Sequence, residues 1–303
     1  MSGKAPGVGL ICELAEDGDI VEIKRVLMNM PYLIDVKDDE GKSPLHSACD
    51  YGHTEVAHEF ISRGADVNAM TKSGTTPLHW ASRGGYTDVI TMLLEQNAYI
   101  NVQNKFGWAP LHWACYKGHL DVIEMLLDAQ ADINIRNELE NTPLHFLLHT
   151  KHVGKEKHFE DGYADFILKI VDESKADLNL KNKDGWTLLH CVCEVGHLQL
   201  VKAFVERNAL VNSKTKNNET PVFVALNNGH EAVAEYLVIK GAVIHAEKDD
   251  YSWEPGHTQW GGPERAIKPG DISLGLDKQQ VIKAVKEKYN QEMNSALAQL
   301  ENA

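Results

Sequence analysis

Apolar residues recur along this chain in short stripes that are typical of amphipathic helices. After Gly85, the residues Val89, Met92 and Leu93 fall at i, i+3 and i+4, so they share one face of a helix. A shorter run before each such segment places Leu and Ala together on one face. Glycine separates the two runs at corresponding places, which predicts paired helices joined by a turn. These glycines are residues 52, 85, 118, 196 and 229.

A four-residue motif opens each predicted helix pair at a constant interval. Residues 44, 77, 110 and 143, the second positions of the motif, are 33 apart, as are 188 and 221, whereas 143 and 188 are 45 apart. A Ser or Thr before Pro predicts a helix start, with the hydroxyl residue as N-cap and Pro in the first turn. The motif occurs as Ser43–His46, Thr76–His79, Ala109–His112, Thr142–His145, Thr187–His190 and Thr220–Phe223.

A second motif keeps the same phase and ends each unit. It reads Gly-Ala-Asp-Val-Asn at residues 64–68, and its later copies also close on asparagine. Two independent motifs with one period indicate that the chain is built from internal repeats. The closing asparagines are Asn68, Asn101, Asn134, Asn179 and Asn212.

On these motifs the chain resembles the ankyrin repeat family, whose signature is Thr-Pro-Leu-His-x-Ala at a 33-residue period. The resemblance covers roughly residues 8–250. It implies an all-α solenoid of helix-turn-helix units with β-hairpin loops, in which neighbouring repeats bury each other's apolar stripes. We expect repeats to start near residues 8, 41, 74, 107, 140, 185 and 218, the first of them an N-terminal cap without the Pro-Leu-His motif.

Two segments depart from the repeat pattern. The longer interval places an insertion at 149–162, which predicts a specificity rim beside a binding face. After residue 250 we expect an irregular linker at 251–276 and an amphipathic helix at 277–301. That helix would dock on the last repeat, self-associate or bind another protein, and the sequence leaves these three open. The candidate tail-docking residues are Trp253, Trp260, Val281, Ile282, Val285, Tyr289, Met293 and Leu297.

Composition narrows the classes of partner. With 30 Lys and Arg against 44 Asp and Glu, the net charge is −14, which argues against binding nucleic acid or an anionic membrane. No apolar stretch reaches the length of a membrane span, and residues 1–9 lack the pattern of a signal peptide. The five cysteines indicate reduced, buried thiols. We expect a cytoplasmic protein, and a nuclear or cytoskeletal association stays open.

No catalytic or cofactor chemistry is indicated. The sequence has no phosphate loop, nucleophile elbow or metalloprotease motif, so we expect no enzyme, no cofactor and no metal. The resemblance implies that the repeated histidines bond to loop backbone. His149, His152 and His158 lack ligand-like spacing, which favours a solvated loop. Cys49 and Cys115 are expected in the core, as are Trp80, Trp113 and Phe146, which follow the motif histidines.

The resemblance also indicates where a partner would bind. Ligand contacts in the family come from the hairpin tip and the exposed end of the first helix. Aromatic and basic side chains at those positions would form a concave binding patch. The alternative is that Trp108 and Trp186 only pack over neighbouring hairpins. The candidate binding residues are Tyr51, Arg83, Lys105, Phe106, Trp108, Tyr116, Lys117, Leu139 and Trp186.

The predicted function is therefore a non-catalytic scaffold or adaptor that binds a protein in the concave groove. One alternative is a structural subunit, for example of a cytoskeletal assembly, anchored by the C-terminal tail. Another is an inhibitor or chaperone of a partner enzyme. The asparagine motifs also resemble sites of asparaginyl hydroxylases, although an asparagine that bonds its own hairpin backbone is the simpler interpretation.

Overall fold

The computed structural model describes residues 7–149 and 162–243. These residues belong to two compact units that divide between Asp177 and Leu178, and each unit is described by itself. Most of the predicted insertion lies outside the described residues. The predicted linker at 251–276, the helix at 277–301 and all of the tail-docking residues also lie outside them.

The first unit is a stack of paired helices. First helices pack on first helices, with α3 on α5, α5 on α7 and α7 on α9, and α4, α6 and α8 pack in the same order beside them. A short 3-10 helix, Pro31–Asp35, follows the first pair. The α-helices are α1 Val8–Asp17, α2 Ile20–Asn29, α3 Pro44–Tyr51, α4 Thr54–Ser62, α5 Pro77–Gly84, α6 Thr87–Glu95, α7 Pro110–Lys117, α8 Leu120–Asp128, α9 Pro143–Leu148 and α10 Tyr163–Glu173.

The second unit repeats the arrangement, with α11 on α13 and α12 on α14. Its helices are α11 Leu188–Val195, α12 Leu198–Glu206, α13 Pro221–Asn227 and α14 Glu231–Ile239. Every regular element among residues 7–149 and 162–243 is helical, which confirms the all-α prediction. The hairpin loops are tight turns without assigned strands, closed by backbone hydrogen bonds such as those from Thr71 N–H to Thr75 O, 3.0 Å, and from Gly74 N–H to Thr71 O, 2.9 Å.

Each motif starts its helix in the predicted way. In α5, Thr76 is the N-cap in extended backbone and Pro77 is the first helical residue. The structure adds a role for His79, three residues after the cap. Its Nδ1 atom accepts hydrogen bonds from the Thr76 hydroxyl at 2.8 Å and from the Thr76 N–H at 3.1 Å. The imidazole therefore accepts the hydrogen bond from the N-cap backbone N–H that a glutamate or glutamine side chain accepts in an ordinary capping box.

The other ring nitrogen of the same histidine reaches the next repeat. Nε2 of His79 donates to the carbonyl oxygen of Trp108 at 2.9 Å. A backbone N–H can only donate to Nδ1 and a carbonyl can only accept from Nε2, so the ring is neutral with its proton on Nε2. The same pair of contacts recurs in several repeats, and we use the name inter-repeat histidines for His46, His79, His112 and His190.

The motif asparagines provide a second link between repeats. Nδ2 of Asn68 donates to the carbonyl oxygen of Asn97 at 3.3 Å, and Oδ1 of Asn68 accepts from the N–H of Tyr99 at 2.7 Å. Asn179 in the second unit bonds to Asn208 and Leu210 in the same way. The interpretation that these asparagines bond their own hairpin is wrong, because their partners lie in the following repeat.

The cysteines lie in the layers between helices. All five are free and buried, and Cys49 and Cys115 have no solvent contact, which confirms their predicted place in the core. Burial raises the pKa of Cys12 to about 11, and nearby carboxylates act in the same direction. No described helix is long and apolar enough to cross a membrane.

The inter-repeat histidines make stability depend on pH. Burial lowers the pKa of each from 6.5 to about 4, because the charged ring would lose its water. Above pH 6.5 the folded and unfolded chains are both neutral at these sites. Between pH 6.5 and 4 only the unfolded chain binds protons, so stability falls by about 1.4 kcal/mol per histidine per pH unit. Urea titrations followed by circular dichroism between pH 7 and 5 measure this slope.

The matched variant is His112→Gln, since His112 makes both contacts through a fully buried ring. It is expected to be less stable at pH 7, where a buried hydrogen-bond pair is lost. Below pH 6.5 the slope of its unfolding free energy against pH should be smaller by the contribution of one histidine, about 1.4 kcal/mol per pH unit. An unchanged pH slope would show that His112 does not titrate on unfolding.

Candidate protein-binding surface

Aromatic and basic side chains alternate along one side of the first unit. The ammonium of Lys42 lies 5.8 Å from the ring centre of Tyr51 and 5.7 Å from that of Trp80. The guanidinium of Arg83 then lies 4.9 Å from the ring of Trp80 and 5.8 Å from that of Trp113, on the next repeat. At these distances a cation is attracted to the face of an aromatic ring.

The series continues to a cluster of rings around Trp108. Its ring centre lies 4.5 Å from that of Trp113 and 4.6 Å from that of Phe146, and Tyr116 meets it edge-on at 5.5 Å. Such tilted and T-shaped pairs are favourable aromatic geometries. We define the aromatic–basic row as the partly exposed members of this series: Tyr51, Lys42, Trp80, Arg83, Trp113, Trp108 and Tyr116.

Repetition of the sequence explains the row. Trp80, Trp113 and Phe146 occupy the same position on α5, α7 and α9, one residue after the motif histidine, so stacking of these helices brings them into line. Trp108 comes from the loop before α7. Its N–H donates to Oδ1 of Asn104 at 3.0 Å, and its carbonyl receives the bond from His79. The backbone on both sides of this indole is therefore held in place.

The structure separates the predicted binding residues by exposure. Tyr51 and Phe106 are 52% and 60% exposed, and Lys105 and Lys117 are exposed as well. The ammonium of Lys117 lies 5.2 Å from the Tyr116 ring. Four others lie half-buried: Arg83, Trp108, Tyr116 and Leu139. The hairpin tips that carry Phe106 and Leu139 are joined by the bond from the N–H of Glu138 to the Phe106 carbonyl, 3.1 Å.

Trp186 does not have the predicted exposure. It lies in the second unit and is only 8% exposed. Its N–H donates to Oδ1 of Asn182 at 2.9 Å, and its ring is 5.8 Å from that of His190. The expectation of an exposed Trp186 is wrong, because its side chain is buried.

The sequence predicted that Trp80, Trp113 and Phe146 lie in the core. Phe146 is buried, but Trp80 and Trp113, the two that belong to the row, are only half-buried. The repeat position alone does not expose them, because Phe146, which also follows a buried motif histidine, is itself buried. The neighbouring cations Lys42 and Arg83 are the sequence signal for this exposure, since aromatic and basic residues at adjacent variable positions form cation–π pairs.

Charge distinguishes the two cations inside the row. Lys42 is neutralised by Glu16 at 3.3 Å and Asp50 at 3.6 Å. In contrast, no carboxylate within residues 7–149 and 162–243 forms an ion pair with Arg83. The indole N–H of Trp80 beside it is shielded from water and has no hydrogen-bond partner among the described residues. Arg83 is therefore a half-buried cation without a carboxylate partner among the described residues.

The described residues offer little for metal chemistry. No three His, Cys, Asp or Glu side chains among them are grouped in a way that could hold a metal ion. His149 follows directly after α9 and is 2% exposed, so the expected solvated loop is wrong for this residue. His152 and His158 lie outside the described residues.

Comparison with known families agrees with the repeat architecture. A model described as ankyrin repeats in three copies matches residues 11–104 and 158–248, and a model of many copies matches 86–127 and 111–154. Together with the stacked helix pairs and their inter-repeat bonds, this shows that the chain belongs to the ankyrin repeat family. The repeats imply a role in protein–protein interaction.

Individual relatives match only part of the chain. Ankyrin repeat-containing protein P1E11.10 of Schizosaccharomyces pombe is 35% identical to this chain. The match covers 25% of this chain and 37% of that protein. The NF-kappa-B inhibitor cactus of Drosophila melanogaster is 28% identical to this chain. The match covers 25% of this chain and 16% of that protein. Protein phosphatase 1 regulatory subunit 27 of Mus musculus is 30% identical over 31% of this chain, with 60% of that protein covered.

Two phenylalanines test the division between packing and surface. Phe146 is 1% exposed and contacts Trp108 and Tyr116, so Phe146→Ala is expected to cost about 3–5 kcal/mol of unfolding free energy. Phe106→Ala, at an exposed hairpin tip, should stay within about 0.5 kcal/mol of the parent. Urea unfolding measures both. Equal losses in the two variants would contradict the burial assigned to them.

Proposed function

We propose that the protein is a cytoplasmic, non-catalytic adaptor or scaffold that binds a protein partner along the aromatic–basic row. The observation that carries this proposal is Arg83, which lies between the rings of Trp80 and Trp113 without a carboxylate partner among the described residues. Arg, Trp and Tyr dominate the energetics of protein interfaces because they combine large contact area with directional polar groups.

The arrangement favours a partner segment with an acidic group next to an apolar one. A carboxylate placed at Arg83 would receive charge-assisted hydrogen bonds on a surface that is already partly dehydrated. Apolar side chains would rest on Trp113, Trp108 and Tyr116. Lys105 and Lys117 add exposed positive charge at the side of the row, although the whole chain is acidic. The insertion at 149–162 would act as a specificity rim.

The named relatives favour a regulatory version of this role. One is named as an inhibitor of NF-kappa-B and another as a regulatory subunit of protein phosphatase 1. Both names describe proteins that act on another protein. A second candidate function is therefore inhibition or chaperoning of a partner enzyme by the same surface, and an activity assay on the captured partner separates it from simple scaffolding.

The test is quantitative affinity purification with matched variants. Arg83→Glu reverses the unpaired charge in the middle of the row, and Tyr51→Ala removes an exposed ring at one end of it. Tyr99→Ala is the control, because Tyr99 is similarly exposed but lies in the turn after α6, outside the row. A partner that uses the row should be recovered at least about tenfold less with Arg83→Glu, which corresponds to about 1.4 kcal/mol, and normally with Tyr99→Ala.

Circular dichroism and urea unfolding confirm that each variant remains folded. Once a partner is purified, Kd should rise for Arg83→Glu more than for Arg83→Lys, since lysine keeps the charge but loses the planar fork. If all variants recover the same partners at the same level, the aromatic–basic row does not bind them and the proposal is wrong.

A further inference from the structure

The last described repeat, formed by α13 and α14, has an unusual face. In the repeats with an inter-repeat histidine, the third helical residue faces the following repeat, because its Nε2 reaches a carbonyl there. The equivalent residue of α13 is Phe223. A residue that donates a hydrogen bond to the next repeat has been replaced by an apolar ring.

Burial also changes at this position of the motif. The motif histidines of the earlier repeats are buried, whereas Phe223 is half-buried. Three residues further on, the same helix face carries Leu226, which is also half-buried. Its counterparts in the earlier repeats have no solvent contact at all. These counterparts are Cys49, Ser82, Cys115, Leu148 and Cys193.

The substitution leaves a polar atom without its usual partner. In four of the other repeats a hydroxyl bonds to the histidine Nδ1 at 2.7–2.9 Å, and these hydroxyls belong to Ser43, Thr76, Thr142 and Thr187. Phe223 has no such atom, and the hydroxyl oxygen of Thr220 is shielded from water without a hydrogen-bond partner among the described residues. A face adapted to water would have kept a polar residue here.

A further apolar replacement lies at the end of α14. The last residue of α4, α6, α8 and α12 is Ser62, Glu95, Asp128 or Glu206, whereas α14 ends with Ile239, which is 53% exposed. Terminal repeats normally present a polar outer face, because no further repeat covers them. The last repeat thus has the surface of a repeat that packs against something.

We propose that residues 277–301 of this chain pack on Phe223 and Leu226 as the C-terminal cap of the repeats. The chain continues from Val243, in the same repeat, and the intervening residues 244–276 could span on the order of 100 Å when extended. Residues Val281, Val285 and Tyr289 follow one another at i, i+4 and i+8, which predicts an apolar helix face. Covalent attachment raises the effective concentration of this segment to about millimolar or higher.

Hydrogen–deuterium exchange of the full chain tests the proposal. Val285→Asp places a charge on the predicted apolar face, and Gln291→Asp places the same residue on the opposite face of the same helix. With Val285→Asp, the amides of α13 and α14 should exchange roughly tenfold faster, because their cover is lost. With Gln291→Asp they should exchange as in the parent. Unchanged exchange with Val285→Asp, or equal acceleration by both variants, overturns the proposal.

Disulfide trapping distinguishes the occupants. Leu226→Cys restores the residue type of the interior repeats, and it is combined in turn with Val281→Cys, Val285→Cys or Tyr289→Cys. Oxidation should join at least one pair within a monomer, whereas Leu226→Cys alone and Leu226→Cys with Gln291→Cys should not give that linkage. Cross-linked dimers would assign the face to a second copy of the chain, and the absence of a monomeric linkage in all three pairs would also overturn the proposal.

Discussion

The described structure depends on one contact, the neutral imidazole that caps its own helix and bonds to the next repeat. His79 and His112 each satisfy a helix N-terminus through Nδ1 and a loop carbonyl through Nε2. Both rings and both N-cap residues are buried, so removing the ring would leave buried polar groups unpaired. A repeat cannot bury its helices alone, and this contact sets the register in which the next repeat covers them.

The binding surface follows from the same geometry. Trp80 directly follows His79 on α5, and the 33-residue period places Trp113 at the same position on the neighbouring helix α7. Arg83, one turn further along α5, then lies between the two rings. The row is thus a consequence of the packing that holds the repeats together, and its side chains are positioned before any partner arrives.

The last repeat shows what happens where this contact is absent. Phe223 replaces the histidine at the place where no further motif repeat follows in the sequence. A phenyl ring cannot donate the hydrogen bond that the inter-repeat histidines make, and apolar cover stabilises it instead. The hydroxyl of Thr220 then lacks its usual partner. Phe223 in place of histidine therefore replaces a hydrogen-bond donor to the next repeat with an apolar surface. Such a surface suits a helix with an apolar stripe.

The sequence by itself determined the period, the helix starts and the all-α class, because Thr-Pro caps and turn glycines act on their own few residues. It also predicted the exposure of Tyr51 and Phe106, which lie at a helix end and a hairpin tip. Tertiary structure decided the burial of Trp186, the half-exposure of Trp80 and Trp113, and the pairing of Lys42 with Glu16. Periodicity states which residues share a helix face. How far a neighbour covers that face depends on side chains 30 or more residues away, and only packing brings those together.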